Sequence, residues 1–212
     1  MVAYCHKSSA RMEGTVFAVT LEELRQVKSE GGEILTKPFL DVFRHMLPVV
    51  DKFGPSMVLV KSDVLGNIST LESKYKSNPS EFNDLYNMVR LELEAKKQKS
   101  SSSCTTALLW LTRGMDFLLE LFRNLLEHAD WTMSQACTSA YKKTLKKWHG
   151  FLERSSFSVA LKVIPDRKKF MDIIGGTGDI NSDIEQLCTN FAPLLEENHR
   201  FLASIGMDDW KF

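Results

Sequence analysis

Cysteine is scarce in this chain: Cys5, Cys104, Cys137 and Cys188 are its only four in 212 residues, each tens of positions from the next. No Cys-x-x-Cys pair occurs, so neither a zinc ribbon nor a disulfide framework is encoded, and reduced thiols in the cytosol are the simplest reading. Proline and glycine are sparse too, at 6 and 11 residues, which leaves room for long helices. Net charge is absent, with 27 Lys plus Arg against 27 Asp plus Glu. That balance removes the footprint of a general nucleic-acid binder and leaves only a local basic patch open. Hydrophobic residues at 43% and charged residues at 25% are those of a globular chain, not a disordered one.

Long apolar runs are missing as well. Met1 to Arg11 is short and polar, unlike a signal peptide, and Met12-Glu13-Gly14 offers a second start. Residues 1–12 are therefore expected to be a flexible tail ahead of a single domain over 13–212. Thr105 to Leu126 is the most apolar stretch, but Arg113, Asp116, Glu120, Arg123 and Glu127 recur through it every three or four residues. They form one polar stripe, with Leu108, Leu111, Met115, Leu118, Phe122 and Leu125 opposite it. A spanning helix needs ~20 predominantly apolar residues, so this is a long amphipathic helix in a soluble core.

The helical period recurs elsewhere. Phe39, Val42, Phe43, Met46 and Leu47 share a face, with Pro48 expected to kink or end that helix. Val60, Val64, Ile68, Leu71 and Tyr75 make a second stripe. Ser80 is placed to cap a helix over 81–97, and Ser134 to cap one carrying Ala140, Tyr141, Leu145 and Trp148. Phe157, Ala160, Leu161 and Ile164 follow, ended by Pro165. A last helix is expected over about 183–204, bent at Pro193. Alternating strand patterns are almost absent, so the fold class is all-α.

Few motifs carry chemistry. Gly175-Gly176-Thr177-Gly178 has no preceding strand and no following Gly-Lys-Ser, so a turn between helices outweighs a phosphate loop. Lys142, Lys143, Lys146 and Lys147, beside Trp148, read first as the solvated face of a helix, and second as a contact for anionic lipid or RNA. His6, His45, His128, His149 and His199 stand in no metal-ligand spacing, and no metal or cofactor is expected. Nor does any residue set argue for an enzyme.

One helix stands apart. Asp63, Asn67, Thr70 and Lys74, spaced four, three and four, form a polar stripe flanking Val60, Val64, Ile68 and Leu71. Such a rim suits a ligand with a polar head and a greasy body, and equally suits an ordinary charged helix flank. Trp110, at the margin of the long apolar helix, is either core or a platform for a sugar ring. His149 is either a cap or a donor to a buried carbonyl.

Three blocks together carry a resemblance: Lys61-Ser62-Asp63-Val64-Leu65-Gly66-Asn67-Ile68, Leu109-Trp110-Leu111-Thr112-Arg113-Gly114 and Leu145-Lys146-Lys147-Trp148-His149-Gly150. In order and separation the chain resembles the glycolipid transfer protein family from Gly14 onward. Phe157 to Phe170 and Gly206-Met207-Asp208-Asp209 look most like its plant members. The resemblance implies a two-layer α-helical sandwich of about eight helices that shuttles glycosphingolipids without hydrolysing them, with no metal and no disulfide. It also implies roles: Asp63 for the ceramide amide and sugar hydroxyls, Asn67 for sugar hydroxyls, Trp110 stacked on the first sugar, His149 donating to the acyl carbonyl. The apolar helix faces would enclose the two chains.

The branch resembling ceramide-1-phosphate carriers has cations where this chain has Thr106, Asn67 and Trp110, which favours a sugar over a phosphate. Family members also commonly carry Lys or Arg at the position of Thr70. Thr70 is too short to reach as far, and Lys74, one turn further on the same stripe, either reaches back or the contact is lost, so a monoglycosyl ceramide, with glucosylceramide first, is the expected ligand. Trp148, Phe151 and Trp131, aided by Lys146 and Lys147, are expected to meet the membrane surface transiently. A cytosolic monomer is the default, with a glycolipid sensor or a helical adaptor as the non-transfer alternatives.

Overall fold

The computed structural model describes residues 14–211, so the expected tail over 1–12 lies outside the described residues. Among the described residues nine α-helices follow one another: α1 Ala18–Leu24, α2 Thr36–Asp51, α3 Val58–Ser77, α4 Leu85–Glu94, α5 Cys104–Glu127, α6 Met133–Lys143, α7 Phe151–Ala160, α8 Arg167–Gly175 and α9 Ile180–Ser204. A 3-10 turn, Pro55–Met57, leads into α3. Among the described residues there is no strand beyond the isolated bridges Lys28–Ile34 and Leu35–Asp84. No described helix is long and apolar enough to cross a membrane.

The central helix α5 touches α3, α4, α6 and α9, α2 lies on α3, and α1 joins α2 to α9, giving a two-layer all-α sandwich. Leu108, Leu111, Met115, Phe122 and Leu125 of α5 are buried as their spacing predicts, and Leu118 packs on the core from its edge. Each such side chain contributes roughly 1.5–3 kcal/mol by leaving water. Phe122 meets Phe17 edge-on at 5.2 Å, and Phe43 of α2 meets Phe191 of α9 at 5.9 Å. The polar stripe of α5 is not solvated as an amphipathic pattern suggests, because this helix has neighbours on nearly every side. Arg113, Glu120 and Asn124 are buried. Glu120 accepts from Lys143 of α6 at 2.8 Å, and Asn124 donates to the Ala136 carbonyl at 3.1 Å.

Several boundaries differ from the sequence reading for identifiable reasons. α4 starts at Leu85 under an Asp84 cap, not after Ser80, because Thr36 holds the carbonyls of Phe82 and Asn83 and keeps that segment extended. α6 is capped by Thr132 rather than Ser134, through a reciprocal box with Gln135 that a Thr-x-x-Gln pattern encodes. It ends at Lys143, so Leu145 and Trp148 sit in the turns beyond it. Pro48 does not end α2, which continues to Asp51, and Pro193 lies within an unbroken α9. α1 and α8, both short, were not legible as helices. Gly175 closes α8 and Gly176 to Gly178 form the link to α9, a turn between helices as expected. Cys104, Cys137 and Cys188 are free and buried, and burial raises their thiols to about 12, 12 and 11.

After α9 the chain reverses at Gly206, whose φ of 68° favours glycine. Gly206 N donates to the Ala203 carbonyl and Met207 N to that of Leu202, the paired bonds of a Schellman motif, with Met207 fully buried. This turn lays the closing strap, residues 206–211, back across α5 and α9.

Candidate functional site

α3 and α5 pack side by side and carry the two halves of the expected site. On α3, Ile68 and Leu71 are buried against the core, Asp63 is exposed, and Asn67, Thr70 and Lys74 are half-buried. The four polar side chains are not equivalent. Thr70 Oγ1 donates to the Gly66 carbonyl at 3.0 Å, and Lys74 Nζ lies 4.5 Å from the Phe82 ring centroid, turned away from the Asp63 end of the helix. Among the described residues, the Asp63 and Asn67 side chains make no hydrogen bond or ion pair, so their polar atoms are uncommitted.

The other half is aromatic. The turns after α6 bring His149 back onto that helix, where Tyr141 Oη and His149 Nδ1 are 3.1 Å apart. The His149 and Trp110 rings are 5.8 Å apart. Tyr141 also stacks on Phe157 of α7 at 3.8 Å, and Phe157 meets Phe117 edge-on at 6.2 Å. Burial lowers the His149 pKa and raises that of Tyr141, so both are neutral at neutral pH. Where Tyr141 is the donor to Nδ1, the single N–H of the neutral imidazole is on Nε2. Arg113 lies beneath the aromatic group, its Cζ 3.6 Å from the Trp148 centroid and 5.4 Å from that of Trp110.

The residues expected at a membrane fall into two groups. Phe151 is 83% exposed and its neighbour Leu152 is 74% exposed, at the start of a helix with no buried residue. Lys146 and Lys147 are exposed beside them, and Lys147 Nζ lies 4.3 Å from the half-buried Trp148 ring. Trp131 is separate: it stacks on His128 at 3.8 Å and its carbonyl accepts from Arg167 at 3.1 Å, closing the loop after α5. Within the lysine cluster, Lys143 is engaged with Glu120, while Lys142 stays exposed. The sequence reading missed Leu152, Val58, Leu59 and Val163, all exposed apolar side chains. The Val163 carbonyl lies beside Gly54, just ahead of α3. The run Val58-Leu59-Val60 was visible, but not that nothing covers it.

Two cavities, of about 210 Å³ between Leu24, Val27 and Pro193 and about 130 Å³ between Asp116, Leu119 and His199, lie along α9 rather than at Asp63 or Trp110. No group of three metal-ligating side chains occurs among the described residues.

Residues 34–176 match the glycolipid transfer protein (GLTP) family. The chain belongs to that family. It is 60% identical to glycolipid transfer protein 1 of Arabidopsis thaliana over 200 residues, 94% of this chain and 99% of that protein. The fold is that of the FAPP2 domain described as selecting simple glycosphingolipids, with a TM-score of 0.84 at 27% identity over 93% of this chain and 99% of that one. Arabidopsis ACD11, solved with ceramide-1-phosphate, superposes with a TM-score of 0.83 over 94% of this chain and all of its own, but at 18% identity shares only the fold. The family assignment makes the protein a lipid carrier and not an enzyme.

Proposed function

We propose that this protein carries a glycosphingolipid, with glucosylceramide as the preferred cargo, between the cytosolic faces of membranes. The observation that carries the reading is the pair of uncommitted polar side chains, Asp63 and Asn67, on the helix beside Trp110 and His149. A carboxylate accepts from both an amide N–H and a hydroxyl, Asn67 donates and accepts, and His149 Nε2–H donates to the acyl carbonyl. The Trp110 face receives the axial C–H groups of one sugar.

The chains contribute affinity at ~0.8 kcal/mol per methylene but distinguish lipids poorly, so selectivity falls to the rim, where an unmatched buried group costs ~1–3 kcal/mol. Thr70 is short and bonded to its own helix, and the Lys74 ammonium lies over the Phe82 ring, so no long donor stands at the Asp63 end for a second sugar. Phosphate is disfavoured in the same way. Thr106 is buried against Ser103, and the cation beside Trp110, Arg113, is buried beneath the indoles, its Nη2 held by backbone carbonyls, so it is not presented to a headgroup. The first half of α3 and all of α7 bury no side chain, so these uncovered apolar surfaces are the entry we propose for the hydrocarbon chains. Residues 13–212 act as one unit and as a monomer that meets membranes transiently through Phe151, Trp148, Lys146 and Lys147, with Trp131 the weaker contact and no role for nucleic acid.

The test is fluorescence-monitored transfer of glucosylceramide between vesicles, with ceramide-1-phosphate in parallel and Asp63→Val as the variant. Rapid transfer of the glucosyl lipid alone, abolished by Asp63→Val, is expected. Binding without transfer would mark a sensor, and neither would mark an adaptor.

A further inference from the structure

Arg113 is 2% exposed, the largest charged side chain in the interior. Nη2 donates to the carbonyls of Asp208 at 2.6 Å and Trp210 at 2.9 Å, so the guanidinium ties α5 to the closing strap. Nε and Nη1 are buried without an acceptor among the described residues. Burial pulls the group down to about 10, against Asp208, Asp209 and Asp116, and it stays cationic at neutral pH. For stability alone this is a poor choice, since an apolar side chain of similar volume would fill the space without stranding two donors. What an apolar chain would not supply is a flat cation against the faces of Trp148 and Trp110.

We propose that Arg113 is a positioning residue of the headgroup site: held by the strap carbonyls, its guanidinium sets the planes of Trp148 and Trp110, so that the Trp110 indole stands as a platform beside His149. The inference rests on the carrier reading and deepens it. The strap thereby acts on ligand recognition without touching the ligand through Arg113. Lysine keeps the charge but has neither the planar face nor the fork of donors, so Arg113→Lys separates charge from shape.

Arg113→Lys is compared with wild type and with Asn198→Ala. Asn198 is fully buried on the same α5–α9 seam, accepting from Tyr86 Oη at 2.8 Å and donating to Thr112 at 3.1 Å, so its loss destabilises without involving the indoles. Near-ultraviolet circular dichroism without lipid reads the indole environments, and uptake of labelled glucosylceramide from vesicles reads the site. Arg113→Lys is expected to alter the indole bands and to cut uptake about tenfold, the scale of a lost desolvated cation–π contact. Asn198→Ala, measured where all three proteins are folded, is expected to keep both within about twofold. Wild-type bands and uptake in Arg113→Lys would overturn the proposal, as would losses in the two variants that simply track their melting temperatures. Absence of uptake in wild type would instead overturn the carrier reading, and would be seen without reference to either variant.

Discussion

Replacing His199 by glutamine removes a charge and keeps a hydrogen-bonding side chain of similar reach. In the native protein His199 Nε2 is 2.8 Å from Asp116 and Nδ1 is 2.6 Å from Asp208, so one imidazolium joins α5, α9 and the strap. Arg123 and Glu196 border the same cleft, and Arg113 and Asp209 lie next along. The hydrogen bond to Asp116, then that to Asp208, outweigh burial and raise the imidazole from 6.5 to about 9. The folded protein thus holds this proton more tightly than the unfolded chain. The contribution is complete below about pH 6.5 and is lost as pH rises through about 9. At about 1.4 kcal/mol per pH unit the whole difference is about 3 kcal/mol, and screening of a side chain 31% exposed reduces it to about 1–2 kcal/mol. For a chain of this size that is a melting-temperature gap of about 5 °C between wild type and His199→Gln at about pH 6. Calorimetry from about pH 6 to 10 should show the gap closing progressively between about pH 6.5 and 9 and gone by about pH 10. Thiol, phenol and lysine titrations are common to both proteins and cancel in the difference. A gap that stays constant over the whole range would refute the clamp.

Truncating Phe151 and Leu152 together to alanine removes two exposed apolar side chains that would each contribute roughly 1.5–3 kcal/mol on insertion, so vesicle partitioning should fall about tenfold or more while the melting temperature is unchanged. Thr70→Lys places a long donor on the Asp63–Asn67 stripe and should raise lactosylceramide transfer several-fold relative to glucosylceramide, whereas equal rates for the two lipids in wild type would sink the one-sugar preference. Burial lowers the His149 pKa, so its neutral form supports stability above about pH 6.5 and that support is lost as pH falls through the lower folded value. Glucosylceramide uptake should therefore hold as pH falls to about 6.5 and drop only below it, read by equilibrium binding against the same series for His149→Gln.

The fold class was legible because hydrophobic spacing is imposed by geometry that holds whatever the neighbours are. Leu108, Leu111, Met115, Phe122 and Leu125 show this on α5. What was not legible depended on partners distant in sequence. Thr36, 46 residues from Phe82, decides where α4 begins. The strap and α6, not local pattern, decide that Arg113 and Glu120 are interior. The Thr132–Gln135 box was local and readable, and Ser134 took its place only because it too is a good cap.

The same distinction governs the site. Sequence spacing put Asp63, Asn67, Thr70 and Lys74 on one stripe and could treat them only as four equivalent polar groups. The fold divides them by where each is held. Thr70 is bonded to its own helix and the Lys74 ammonium lies over the Phe82 ring, while Asp63 and Asn67 stand at the other end with no side-chain partner among the described residues. A polar group bonded within the protein must give up that bond to reach a ligand, whereas one that faces water exchanges water for the ligand. On the carrier reading proposed above, recognition is therefore centred on the end of α3 nearest Asp63. On that reading the polar length of the stripe overstates the extent of headgroup that the protein meets.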